Sequence, residues 1–304
     1  MSKPTKLSFD RSVFNSNAPL PALLLAIISF LGVQTTTFAQ GSLTPPGAPA
    51  PAMKSLDQIE PRTPVDAAHA PGNIYAEFVI SQPGSYYLTT NLFGINGKDG
   101  IQIITNDVTL DLNGFTLFGV PNAINGGIYI SNQITSITVR NGVLSGWKSG
   151  AAIYCDGRNV TFEHLAVSSN YSGIFCAGGG VIKDCLFSGN ATAGVDVNGS
   201  GSLVFGNDFV GNNTTNSSVI GSLEAFGANN RIEANHVTGS GTAGYGIFIS
   251  GIFGLTNNIL IRNSVEGGGT NNYFFNTSQV VGPIVTNTVS GIITNSNPWA
   301  NFSF

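Results

Sequence analysis

A short unit of one glycine, a run of alternating apolar residues and an asparagine returns along residues 100–291, and a chain built this way has few folds open to it. Gly100, Gly127, Gly150, Gly173, Gly194, Gly221 and Gly246 open the units, at separations of 27, 23, 23, 21, 27 and 25 residues. A period in the twenties, with strand-like alternation in every unit and no helix-length periodic segment between them, predicts a β-solenoid, a coil stacked on itself. Side chains alternate across a strand. The pairs Ile128/Ile130, Ile153/Cys155, Ile174/Cys176, Val195/Val197 and Ile247/Ile249 are therefore expected inside.

A second strand is expected about ten residues after each glycine-led one, over 108–112, 137–140, 160–163, 181–183, 203–205, 231–233 and 260–262. It ends at Asn113, Asn141, His164, Asp184, Asn207, Asn235 or Asn263. Asparagine tolerates the left-handed backbone of a tight corner, and its amide can bond to the same amide one coil away. These corners are expected to carry a ladder.

The strand-and-corner pattern Val-Thr-Leu-Asp-Leu-Asn-Gly at 108–114 and Ile-Thr-Val-Arg-Asn-Gly at 137–142, with Ser-Gln-Pro-Gly-Ser-Tyr-Tyr-Leu at 81–88, resembles the secreted right-handed parallel β-helix proteins of the pectate-lyase-like superfamily. The resemblance covers residues 56–304. It implies an all-β, right-handed parallel β-helix of about eight coils. It implies little about function, because lyases, hydrolases, esterases, epimerases and proteins of no known activity share that fold. The paired aspartates with a following Arg-x-Lys of polygalacturonases are missing, as is the carboxylate cluster plus arginine of calcium-dependent pectate lyases. No catalytic residue of the superfamily transfers to this chain.

Residues 1–39 read as a signal peptide with a helical core: Lys3, Lys6 and Arg11 come first, an apolar run over 19–33 follows, and Thr37-Phe38-Ala39 offers a cleavage site before Gln40. The protein is then expected to be exported, whether secreted, periplasmic or at the cell surface. A Pro/Ala-rich linker is expected over 40–55, an N-terminal cap over 56–98, the β-helix over 99–291 and a C-terminal cap over 292–304, where Trp299, Phe302 and Phe304 would close the last coil.

Without Lys3, Lys6, Arg11 and Asp10, the 12 basic and 16 acidic residues become 9 and 15. So acidic a chain is a poor partner for nucleic acid or an anionic membrane. No further hydrophobic stretch is long enough to span a bilayer, so the mature chain is expected to have no membrane span. It is expected to be a monomer. Cys155 and Cys176 fall at equivalent inward positions of successive coils, close enough for a disulfide, but inward stacking of small apolar side chains favours buried free thiols. No histidine sits at metal-ligand spacing from them, and no cofactor is expected.

Three rows of residues are candidates for function. The outward positions of the first strands are Gln102, Tyr129, Tyr154, Phe175, Asp196, Glu224 and Phe248. The aromatics Tyr129, Tyr154, Phe175 and Phe248 suit a polysaccharide-binding strip, and equally a stack that only stabilises the sheet. Asp196 and Glu224 fall on neighbouring coils, at a spacing suited to acid/base or nucleophilic work on a glycosidic bond or to holding a calcium ion. A slip of one residue at Gly221 would turn Glu224 inward. The second-strand row Asp111, Arg140, Glu163, Lys183, Gly206, Glu233 and Arg262 alternates in sign, which favours structural ion pairs over catalysis. His164, Asp184 and His236 offer a general base beside a carboxylate, or plain corner residues. The leading expectation is a glycan-interacting, non-catalytic β-helix. The alternatives are a polysaccharide lyase or glycoside hydrolase using Asp196 and Glu224 on an extended glycan, uronic-acid polymers among the candidates, and a structural or adhesive solenoid.

Overall fold

A computed structural model describes residues 61–304, apart from 125, 251–255, 277 and 287–294. The expected signal peptide, the linker and residues 56–60 of the N-terminal cap lie outside the described residues. Among those described, no helix is long and apolar enough to cross a membrane.

Each coil contributes short parallel strands to walls that run the length of the stack. The first wall is a sheet of nine strands: Ala76–Ile80, Asp99–Ile103, Gly126–Ile130, Ala151–Cys155, Ser172–Cys176, Val195–Val197, Gly221–Ala225, Tyr245–Ile249 and Asn271–Phe275. The second and third walls form one 18-stranded sheet, because in two coils both strands merge into single long ones, Thr135–Ser145 and Arg158–Ser168. There are thus about nine coils rather than eight. The additional one comes from the segment expected as a cap, since Ala76–Ile80 pairs in parallel with Asp99–Ile103.

Alternation decides what is buried. Ile101, Ile128, Ile153, Ile174, Val195, Leu223 and Ile247 form one column of the first wall, each completely buried. All the expected inward pairs are inside. Leu110, Val139, Phe162, Ile182, Val204, Ile232 and Leu260 line the second wall, and Leu117, Leu144, Val167, Phe187, Phe209, Val237 and Val265 the third. Cys155 and Cys176 pair in register as free, fully buried thiols. A hydrogen bond with Cys176, and after it burial, holds the Cys155 thiol far above the ordinary cysteine value.

The repeat glycines are not all equivalent. Pairing aligns Gly100, Gly127, Gly173, Gly194 and Gly246 with Ala152 and Ser222, not with Gly150 and Gly221. At this position the need is for room, not for a turn. A Cβ at Gly127 would stand 2.8 Å from the Trp147 indole nitrogen, and one at Gly100 would stand 3.1 Å from the same ring. Trp147, completely buried, fills the space that these glycines leave.

The corner asparagines divide two tasks that the sequence pattern merges. Asn113, Asn141, His164 and Asp184 do take left-handed backbone, with φ of 53°, 59°, 53° and 54°. In the later coils that conformation falls one residue earlier than expected, at Gly206, Ala234 and Arg262. Asn207, Asn235 and Asn263 then turn inward and form the ladder: Asn207 Nδ2 donates to Asn235 Oδ1, Asn235 Nδ2 to Asn263 Oδ1 and Asn263 Nδ2 to Asn301 Oδ1, each at 3.0 Å. At these corners the left-handed side chains, such as those of Asn141, His164, Asp184 and Arg262, are exposed, so no one residue fills both roles. Another ladder, absent from the sequence reading, runs Asn170 to Asn190 to Asn212 at the corner before the first wall, with bonds of 3.1 and 2.8 Å.

Asn301 also ends the stack by bonding the Leu260 and Gly282 carbonyls. The expected aromatic lid is only partial, because Trp299 and Phe304 stay about half exposed, with Arg262 lying 4.7 Å over the Trp299 ring.

Candidate functional site

The outward row of the first wall is in register across the sheet. Gln102, Tyr129, Tyr154, Phe175, Asp196, Glu224 and Phe248 pair in succession, and Phe274 extends the row. No slip occurs at Gly221: Leu223 faces in and Glu224 stands beside Asp196. Strand spacing in a sheet puts these two backbones roughly 5 Å apart.

The aromatics of this row are not a flat exposed platform. The Tyr154 and Phe175 rings stack on each other with centroids 4.7 Å apart and planes 19° apart, and Phe248 and Phe274 stack at 4.8 Å and 14°. Tyr129 tilts 46° against Tyr154 at 5.9 Å. Rings stacked along the coil axis cover one another's faces and turn their edges outward. Phe248 is nearly buried, under Tyr245, Phe226 and Phe274. Asp196 and Glu224 interrupt the row between the two aromatic stacks.

A cleft of about 390 Å³ opens over this interruption. Tyr154, Phe175, Asp196 and Glu224 line its floor, and Ile124, Tyr171, Thr192 and Ile220 its sides. Tyr171 is 48 % exposed, the most accessible aromatic at the cleft. The sequence reading missed it because it lies in the corner before a strand, outside any alternating run. Its one signal was the Asn-Tyr-Ser that precedes Gly173.

The carboxyls carry unusual protonation. Burial lifts Asp196 to about 7, and burial, then repulsion from Asp196, lifts Glu224 to about 8, opposed by the Gly221 amide that donates to its Oε1 at 2.9 Å. Asn198 Nδ2 donates to Asp196 Oδ1 at 2.7 Å. Near neutral pH the pair therefore retains protons that free carboxyls would have lost.

Both folded values lie above the unfolded ones, so the stability the pair contributes is fully present below about pH 4 and lost as pH rises through 8. Burial also pushes the phenol of Tyr154, on the cleft floor, above its ordinary value, so Tyr154 adds no charge in this range. The Asp196→Asn/Glu224→Gln double variant is expected to gain on the order of several kcal/mol over the unmodified protein at pH 8 and little at pH 4. Urea denaturation at both pH values measures this, and equal gains would show that burial is not what shifts the pair.

The second-wall row is structural. Arg140 lies 3.3 Å from Asp111, Lys183 2.9 Å from Glu163, and Arg262 3.1 Å from Glu233. Phe205 and Ile261 occupy the places expected for Gly206 and Arg262, because the corners of these coils come a residue early. His164 and Asp184 sit at exposed left-handed corners, and His236 meets the exposed Asp208 at 3.4 Å. Among the described residues no three His, Cys, Asp or Glu side chains cluster as a metal site.

A family model described as right handed beta helix region matches residues 73–214. A search of curated proteins finds no match. The matched stretch and the in-register parallel strands that continue past it give the chain the fold of a right-handed parallel β-helix.

Proposed function

We propose that this β-helix protein is exported by its N-terminal segment and binds an extended glycan across the first wall, centred on the cleft between the two aromatic stacks. The observation that carries this reading is the cleft itself: a sugar-sized hollow with an aromatic and apolar rim and two carboxyls at its base. Because the ring faces within the row cover one another, Tyr171 in the rim is the aromatic with most surface to offer a sugar. Tyr129, Tyr154 and Phe175 supply edges and hold the floor rigid.

Tyr171→Ala is expected to weaken binding about tenfold, with the melting temperature within about 1 °C of the unmodified protein, since the side chain is half exposed. Titration calorimetry against neutral, acidic and amino polysaccharides reads this. Unchanged affinity for every polysaccharide that binds would exclude Tyr171 and the cleft as the glycan site.

A hydrolytic reading has one observation in its favour. Two adjacent carboxyls are poised near pH 7–8, so that one can donate a proton while the other is ionised. Mass spectrometry of the same incubations separates the readings: new oligosaccharides that disappear in Asp196→Asn make the protein a glycosidase.

A further inference from the structure

Charge is divided between the walls. The first wall holds Glu77, Asp99, Asp196 and Glu224 and no Lys or Arg, whereas the basic residues in described strands, Arg140, Arg158, Lys183 and Arg231, all belong to the second and third. Two cations come near the first wall from corners. Lys98 donates to the Asn73 carbonyl, near Glu77, and Lys148 donates to the Ser169 carbonyl. Neither lines the cleft, where Asp196 and Glu224 are the charged side chains.

Glu224 is only 6 % exposed, and the bonding of its carboxyl is incomplete. Oε1 accepts the Gly221 amide, while Oε2 has no hydrogen-bond partner among the described residues although the side chain lines the cleft. A carboxyl buried this far without a cation keeps its proton near neutral pH, and its ionisation demands a positive partner. An incoming anion would oppose that ionisation further, and a neutral sugar would leave the demand as it is. A cation meets it.

We infer that the cleft takes a sugar bearing a protonated amine, the ammonium seated between Asp196 and Glu224 and the ring lying against Tyr171 and the apolar rim. This rests on the glycan-binding reading above and replaces the uronic-acid substrate that the superfamily resemblance suggests. Seating the ammonium favours the ionised form of both carboxyls, so protons leave the pair as the amine binds. The proton balance closes on solvent: the amine arrives already protonated, and buffer takes up what the carboxyls release.

The test is titration calorimetry of the purified protein at pH 6.5 with glucosamine, N-acetylglucosamine and galacturonate oligomers of equal length. The glucosamine oligomer is expected to bind at least tenfold more tightly than the acetylated one, with galacturonate weakest. Its binding heat is expected to vary with the ionisation enthalpy of the buffer, as proton release requires. Glu224→Gln is expected to bring the glucosamine affinity down toward the acetylated value. Equal affinity for the glucosamine and acetylated oligomers, tighter binding of galacturonate, or no proton release would overturn the amine assignment while leaving a glycan site. No binding by any of the three would overturn both.

Discussion

Trp147→Ala is expected to destabilise the protein by about 4 kcal/mol, the largest loss for a single side chain in the N-terminal coils. The indole is completely buried and its Nε1 donates to the Leu117 carbonyl at 3.3 Å. Its walls are backbone as much as side chain. A Cβ placed on Gly94 would stand 2.7 Å from the ring, and Gly100 and Gly127 are nearly as close. Glycines have no side chains to swing into a void, and hydrogen-bonded strands do not close in on one. The cavity left by alanine should therefore persist. Trp147→Phe, which keeps most of the volume and loses one hydrogen bond, is expected to cost about half as much. Denaturant unfolding followed by far-ultraviolet circular dichroism gives both values. A loss under about 1.5 kcal/mol for alanine would mean that the first coils collapse onto the vacated space.

Asn235→Ala is expected to cost about 3 kcal/mol through polar bonding rather than volume. Its Nδ2 donates to the Val204 carbonyl at 2.9 Å and to Asn263 Oδ1, and its Oδ1 accepts from both the backbone and the side-chain nitrogen of Asn207. Alanine takes a partner from Val204 and Asn207 in the coil before and from Asn263 in the coil after, in a place closed to water. Asn235→Asp should be no better, since it keeps the acceptors, removes the donors and introduces a buried charge. Urea unfolding measures both variants. A cost below about 1 kcal/mol for alanine would show that the stacked amides are incidental to stability.

The contrast between these two sites shows how much of the molecule is readable from its residues. The alternation that buries Ile128, Ile153 and Ile174 is local, and it survives any misplacement of the corners, so the walls and their outward row were legible. The corners were not. A corner that comes one residue early leaves every strand intact yet moves Asn207 and Asn235 from left-handed backbone to the ladder. Gly150 and Gly221 misled in the same way, standing two residues and one residue before the positions that Ala152 and Ser222 fill.

At the candidate site, register placed Asp196 beside Glu224 as expected, since that depends only on counting along strands. Whether Tyr154 offers a face or an edge depends on side-chain torsions set by its neighbours on both sides, and the pattern of residue types does not encode them. Tyr171 enters the cleft because a corner carries it there, and corners have no periodicity to read.

The asparagine ladder also has a direction. In every link from Asn207 through Asn235 and Asn263 to Asn301 the amide nitrogen belongs to the earlier coil and the oxygen to the later one, and the links from Asn170 through Asn190 to Asn212 are oriented alike. The side-chain dipoles are thus aligned head to tail, so each polarises the next and strengthens its bond. Such a column has unlike ends. Its first member offers the preceding coil an oxygen, and its last must direct its own nitrogen to backbone carbonyls, as Asn301 does with those of Leu260 and Gly282. A coil inserted by duplication would join the column without a break only if it brought one asparagine at the same corner in the same orientation, so the ladder defines the unit by which such a molecule can lengthen.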